Sequence, residues 1–208
     1  FACTLAFMYL VPQELQRGLG MSSTLAGLLM LPGGIVNAVC TLMAGRLFDR
    51  HGARVLVWIG VVMAAIGGAL FFAIGVDSGV VLFLAAHIIV MVGIPFIQQS
   101  AQSAALKSLP GRMAADGSTI LNTMQQVCGA IATAVATCLL GLGQTGYAAG
   151  GGANAAQGFV DGSRYGYMFG LVLVAIVLVF SFMLKGGKEE PKLVPVQVDD
   201  GAVESLAV

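Results

Sequence analysis

Between residues 18 and 45, 55 and 76, 78 and 106, 118 and 160, and again 165 and 184, the chain holds no Asp, Glu, Lys or Arg. That silence constrains it more than any motif does. In hydrocarbon every backbone amide must be paired within its own segment, so a stretch of about 20 apolar residues resolves as a membrane-crossing helix. Five full spans fit: 24–46, 55–75, 79–100, 118–142 and 165–184. A further apolar run, Phe1 to Val11 (FACTLAFMYLV), is short for a span; it is expected to be a truncated first helix, with an upstream part of the protein missing. The composition agrees: 58% of residues are hydrophobic and 10% charged, where soluble domains hold about a quarter charged.

The expected fold class is therefore an all-α integral membrane protein, with a transmembrane helical domain over 1–184. The remainder, KGGKEEPKLVPVQVDDGAVESLAV over 185–208, mixes both charges with two prolines. A disordered tail is expected there, because it has too little apolar surface to order itself. Eight of the ten basic residues (Arg46, Arg50, Arg54, Lys107, Arg112, Lys185, Lys188 and Lys192) fall on alternate connections or in the tail, and Arg17 and Arg164 fall on the other side. Short cytoplasmic loops carry the excess of Lys and Arg. This bias predicts a multi-pass cell-membrane protein with six crossings, a cytoplasmic C-terminus and outward loops near 12–23, 76–78 and 143–164. The last of these, GLGQTGYAAGGGANAAQGFVDGSR, has no apolar periodicity and reads as a flexible loop. Trp58, Tyr165 and Tyr167 occupy interfacial anchor positions, and Cys3, Cys40, Cys128 and Cys138 read as buried apolar thiols at no metal-ligand spacing.

The spans differ in polarity. The third and sixth have almost no polar side chain, whereas the fourth and fifth carry His87, Gln98, Gln99, Gln102, Asn122, Gln125 and Gln126. Amides and an imidazole are costly against lipid, so spans four and five are expected to face an interior or a cavity and spans three and six to face lipid. An apolar helix in every third place suggests two three-helix units of the kind that secondary transporters pair as inverted repeats. In the second span Pro32, Gly33 and Gly34 mark a locally weakened helix, read either as a point of flexibility or as a packing kink, with Asn37 one turn beyond.

The chain concentrates charge in LMAGRLFDRHGARVLV, residues 42–57. A positive-inside turn accounts for the arginines but not for the glycines or the aspartate. Gly45 allows close helix approach, Gly52 suits the positive φ of a tight turn, and Asp49 can accept hydrogen bonds and oppose the arginines. Gly45, Arg46, Asp49, Arg50, Gly52 and Arg54 together strongly resemble the loop signature of the major facilitator superfamily: a glycine, Asp-Arg four and five residues later, then glycine and a basic residue. In that family the signature lies between the second and third helices of each six-helix half, and it lies between the second and third spans here. AGLLMLPGGIVNAVCTLMAGRLFDR and LPGRMAADGSTILNTMQQVCGAIATAV resemble the C-terminal half of the fourteen-helix drug:proton antiporter family, and the likeness covers most of 1–184. Gln125 departs from it, standing where such proteins often place a basic residue. The resemblance implies a six-helix half of a major facilitator fold, a loop acting as a conformational latch, and the rest of the same chain, a small organic substrate and protons as partners.

Within that frame, His87 and Gln98 stand about three turns apart on the fourth span, with Met91 and Gln102 near the same face. They look like a cavity lining, and Pro95, after Gly93, is expected to bend the helix. This agrees with the family, whose fourth helix in each half lines the central path. Asn122, Gln126, Gly129, Thr133 and Thr137 share a face of the fifth span, either a small-residue packing stripe with interhelical hydrogen bonds or a cavity wall. His87 is the one titratable side chain placed near mid-membrane, read either as a proton carrier or as a neutral imidazole bonded to a neighbouring helix. No Asp or Glu is expected deep in a span, so a proton-carrying carboxylate is expected upstream.

An intramembrane enzyme would need convergent nucleophile, base or metal ligands, and none is in view. No cofactor, metal or nucleic-acid partner is implied. The expected function is secondary transport, most directly proton-coupled export of amphipathic organic compounds. Transport of another small solute, or a non-transporting membrane scaffold or sensor on the same fold, are the alternatives.

Overall fold

The computed structural model describes residues 1–76, 78–110 and 113–182. The tail 185–208, with its basic residues, and Arg112 lie outside the described residues. The helices are α1 (Ala2–Gln13), continued by a π-helical turn Glu14–Gly18, α2 (Ser23–Ala73), α3 (Val80–Lys107), α4 (Ala114–Ala149) and α5 (Ala155–Ser181). Four of them, α2 to α5, are long and apolar enough to cross a membrane. The 51-residue α2 is two helical arms that meet at Gly52 (φ 78°, ψ 168°), a backbone region essentially restricted to glycine.

Two expected loops are shorter than the sequence suggests. The segment 143–164 is largely helical: α4 runs to Ala149 and α5 starts at Ala155. The reason lies in the residue types, since alanine is the strongest helix former and the glycines serve packing. A Cβ on Gly162 would meet Leu140 O, and Gly143 faces Gly162, so the two helices cross in close contact. Asn154 caps α5 by accepting from the Ala156 and Gln157 amides (3.0 and 3.3 Å). The segment 12–23 likewise stays helical to Gly18, past Pro12.

The helices pair as α2 with α3 and α4 with α5, while α1 packs on α4 and α5 and α5 also lies against α2. Small residues make the closest approach: Cβ atoms on Gly60 or Gly93 would lie 2.6 Å from the carbonyl oxygen of the other. This is how membrane helices gain packing in a solvent as apolar as their side chains. The third span is therefore more than a lipid-facing helix. Gly60, Val61, Ala64, Gly67 and Phe71 are buried against its neighbours, and its Val55, Ile59, Val62 and Ile66 remain exposed. The sixth span also exposes an apolar face, at Val172, Ile176, Val179 and Phe180. The fifth span, α4, is open along much of its length, with Met124, Val127 and Ile131 exposed.

The core is aromatic. Tyr167 stacks on Phe71 (centroids 4.9 Å) and Phe7 (5.5 Å), and Phe71 meets Phe83 edge-on at 5.1 Å. Tyr167 is 0% exposed, which corrects its expected place as an interfacial anchor; Tyr165 is exposed, and Trp58 packs edge-on against Phe182. Two of the four thiols also depart from expectation, Cys128 and Cys138 being exposed.

Candidate functional site

The signature residues Gly45 to Arg54 do not form an open loop. Helix continues to His51, and the change of direction is confined to Gly52. Gly45, Arg46, Asp49 and Arg50 are exposed on the last turns of the first arm, with Arg54 half-buried at the start of the second. Asp49 is not held by the neighbouring arginines. Lys107, at the far end of α3, donates to its Oδ1 at 3.0 Å and lies 4.4 Å from the Phe48 ring centroid. The contact ties the end of α3 to the turn in α2. Lys107 is also well placed at its own helix C-terminus, where a cation opposes the helix dipole.

The second group of candidates divides. His87 and Met91 are buried between α3 and α2, where the imidazole rests on the bare face of Gly33 and Met91 lies beside it. Asn37 Nδ2 donates to Met91 O at 3.3 Å. Pro32, Gly33 and Gly34, read from the sequence as a locally weakened stretch, keep helical dihedrals. Gly33 instead makes room for the histidine. Pro95 is buried within an unbroken α3. Gln98 and Gln102 are half-buried, whereas Asn122 and Gln126 are exposed on α4. Further along α4, Gly129 packs on Leu5 of α1 and on Phe1 just before it. Thr133 and Thr137 donate to carbonyls one turn back, Gly129 O and Thr133 O (2.9 and 2.8 Å). The expected interhelical hydrogen bonds of that stripe are thus satisfied inside α4.

A third group was not foreseen. Glu14 is 1% exposed, although the sequence places it in an outward loop between spans. Tyr167 Oη donates to its Oε2, and its Oε1 is buried with no hydrogen-bond partner among the described residues. Ser163 and Arg164 of α5 stand close by, but Ser163 donates to Val160 O (2.8 Å) and Arg164 pairs with Asp161 (3.1 Å) and reaches Ile74 O (3.5 Å). Arg164 and Asp161, with Phe72, Gly143, Tyr147, Tyr165 and Met168, line an open cavity of about 560 Å³. Pro12 and Gly18 to Gly20 hid this site by reading as a loop; the one signal was an acid within reach of an apolar run. No cluster of His, Cys, Asp or Glu suited to a metal ion occurs among the described residues.

Residues 1–133 match the Major Facilitator Superfamily. The chain is 36% identical over 194 residues to the lincomycin resistance protein LmrB of Listeria monocytogenes, covering 90% of this chain and 41% of that protein. It is 35% identical over 186 residues to LmrB of Bacillus subtilis (87% and 39%), and 24% identical over 130 residues to the multidrug efflux pump LfrA of Mycolicibacterium smegmatis (62% and 26%). The chain thus spans about two-fifths of the length of the lincomycin resistance proteins it matches. No solved structure matches it.

Proposed function

The chain belongs to the major facilitator superfamily, and from that premise we propose that it is the C-terminal half of a proton-coupled exporter of drugs and other amphipathic organic compounds. The observation that carries this reading is the likeness, across 90% of the chain, to proteins named for lincomycin resistance. Lincomycin is accordingly the first compound to test.

In this reading the two arms of α2 cross the membrane separately, which with α1 makes six crossings, and the C-terminus is cytoplasmic. The Asp49–Lys107 pair is the latch: it joins two helices at one end of the bundle and is exposed enough to break when they part. Gln98, Gln102, Asn122 and Gln126 contribute polar groups to the substrate path or to the seam with the other half of the chain. Their support is that amides near lipid need protein or water partners. His87 and Met91, packed on Gly33, serve the α2–α3 joint, and Pro32, Gly34 and Pro95 let that joint flex.

The test is expression of the intact protein in a bacterial host lacking its main efflux pumps. Resistance to lincomycin should rise, and ethidium should leave preloaded cells at a rate that a protonophore abolishes. Unchanged resistance and unchanged ethidium efflux at verified membrane insertion would overturn the reading. Export that persists with protonophore present would remove the proton and leave the transporter.

A further inference from the structure

We propose that Glu14 is a proton-binding group of this chain, and that its proton decides whether Arg164 stays with Asp161 or turns to Glu14. The inference rests on the proton-coupled reading above but replaces the expectation that the carboxylate lies upstream.

The geometry is that of a buried acid with half of its hydrogen-bonding capacity unused. Tyr167 supplies one donor to Oε2, and Oε1 has none among the described residues. The ion pairs among the described residues are Lys107–Asp49 and Arg164–Asp161, so none of the described cations is paired with Glu14. A buried carboxylate without a cation is among the most expensive states a fold can hold, and a protonated acid relieves it. The elements packed on the Glu14 turn are α5, α1 and α2. The titratable and charged groups they turn toward it are Tyr167 and Arg164, both from α5, with the Ser163 hydroxyl also near.

Arg164 is placed to respond. Its Nε is buried without a partner among the described residues, while Nη1 holds Asp161 and Nη2 reaches Ile74 O. Loss of the proton from Glu14 to solvent leaves an anion beside the guanidinium of Arg164, whose Nε has no partner among the described residues. Moving that guanidinium to Glu14 frees Asp161 and releases the carbonyl at the end of α2. Tyr167 carries the same event inward, because the ring that donates to Glu14 is stacked on Phe71 of α2 and Phe7 of α1. One proton is thereby linked to the joint among three helices. The π-helical turn at Glu14–Gly18 fits this role, since such single turns concentrate at functional positions.

The test uses the intact protein in liposomes, as wild type, Glu14→Gln, Glu14→Asp and Tyr167→Phe. Infrared spectra recorded from acid to alkaline pH should show a neutral carboxylic acid carbonyl band at neutral pH in the wild type. The band should be missing in Glu14→Gln, retained in Glu14→Asp and shifted in Tyr167→Phe, where one hydrogen bond is lost. Ethidium uptake driven by an imposed pH gradient should fall by about tenfold in Glu14→Gln, whereas ethidium exchange at equal pH should stay within about twofold, because only the proton-linked step is removed. Identical spectra of wild type and Glu14→Gln at every pH would overturn the proposal, as would undiminished gradient-driven uptake in Glu14→Gln. If wild-type protein moves no ethidium under a pH gradient, the exporter reading fails on its own, and the infrared band still decides whether Glu14 binds a proton.

Discussion

Replacing Asp49 by Asn removes one charge from the Asp49–Lys107 contact and nothing else of comparable size. Both side chains are more than half exposed, 70% for Asp49 and 51% for Lys107, and exposed pairs contribute about 0.2–1 kcal/mol. A loss of that size leaves the fold and its insertion intact, more so because Arg46, Arg50 and Arg54 keep their orienting charge and acidic residues contribute little to topology. The same 1 kcal/mol is larger as a bias between conformations, since it changes a two-state ratio by about fivefold. If the pair forms in one state and both states are about equally populated, its loss leaves one state at about a sixth of the molecules. A cycle that must visit both then slows by up to about threefold. The assay is ethidium flux per inserted molecule in liposomes for Asp49→Asn, Lys107→Gln and the exchanged pair Asp49→Lys with Lys107→Asp. Both single variants should fall and the exchanged pair should recover part of the loss. High salt should shrink the difference, because exposed charges are screened. Full flux per inserted molecule in both single variants would reduce the segment to an orientation signal and refute the latch.

Three further outcomes follow from the same structure. A cysteine placed at Ala149 should react with an impermeant thiol reagent from outside intact cells, and one at His51 only after permeabilisation; the reverse pattern would invert the topology. Gly93→Ala should lower the amount of folded protein, as its Cβ would sit 2.6 Å from Gly60 O and 2.7 Å from Ala64 N, an overpacking cost of about 1–3 kcal/mol; normal expression and melting temperature would show that the helices part easily there. Gln126→Leu and Gln98→Leu should change the range of compounds exported with little effect on expression, whereas unchanged resistance profiles for both would take these residues out of the path.

The apolar runs announced the helices because hydrocarbon leaves a chain so few alternatives, and the signature residues announced the turn at Gly52. Helix ends were less legible. Glycine and alanine read as loop between 143 and 164, yet Gly143 and Gly162 are where α4 and α5 touch; in a membrane the residue that breaks a soluble helix is the one that lets two helices meet. The partner of Asp49 was also out of reach, since Lys107 stands 58 residues away and spacing speaks only for local neighbours. Glu14 was missed for a related reason. Its burial comes with Tyr167 of α5, 153 positions later, which no reading of PQELQRG contains.

These long-range contacts place one ion pair at each end of the second arm of α2. The second arm of α2, residues 53–73, is about 30 Å long at ~1.5 Å per residue. It is stitched to α3 through Gly60, Gly67 and Gly93 with backbone against backbone. With backbones this close, the second arm of α2 and the part of α3 it touches are suited to move together. At one end of the arm Lys107 holds Asp49; at the other Arg164 reaches Ile74 O from its pairing with Asp161, beside Glu14. A rigid unit hinged this way responds at both ends to a change at either one, because tilting it alters both sets of contacts. Loss of the latch should therefore alter how readily Glu14 gives up its proton, by the reciprocity that any coupling between two sites must obey. The infrared band of Glu14, followed against pH in Asp49→Asn, measures that coupling directly. A titration midpoint identical to wild type would show that the two ends are independent and that the arm between them flexes rather than tilts.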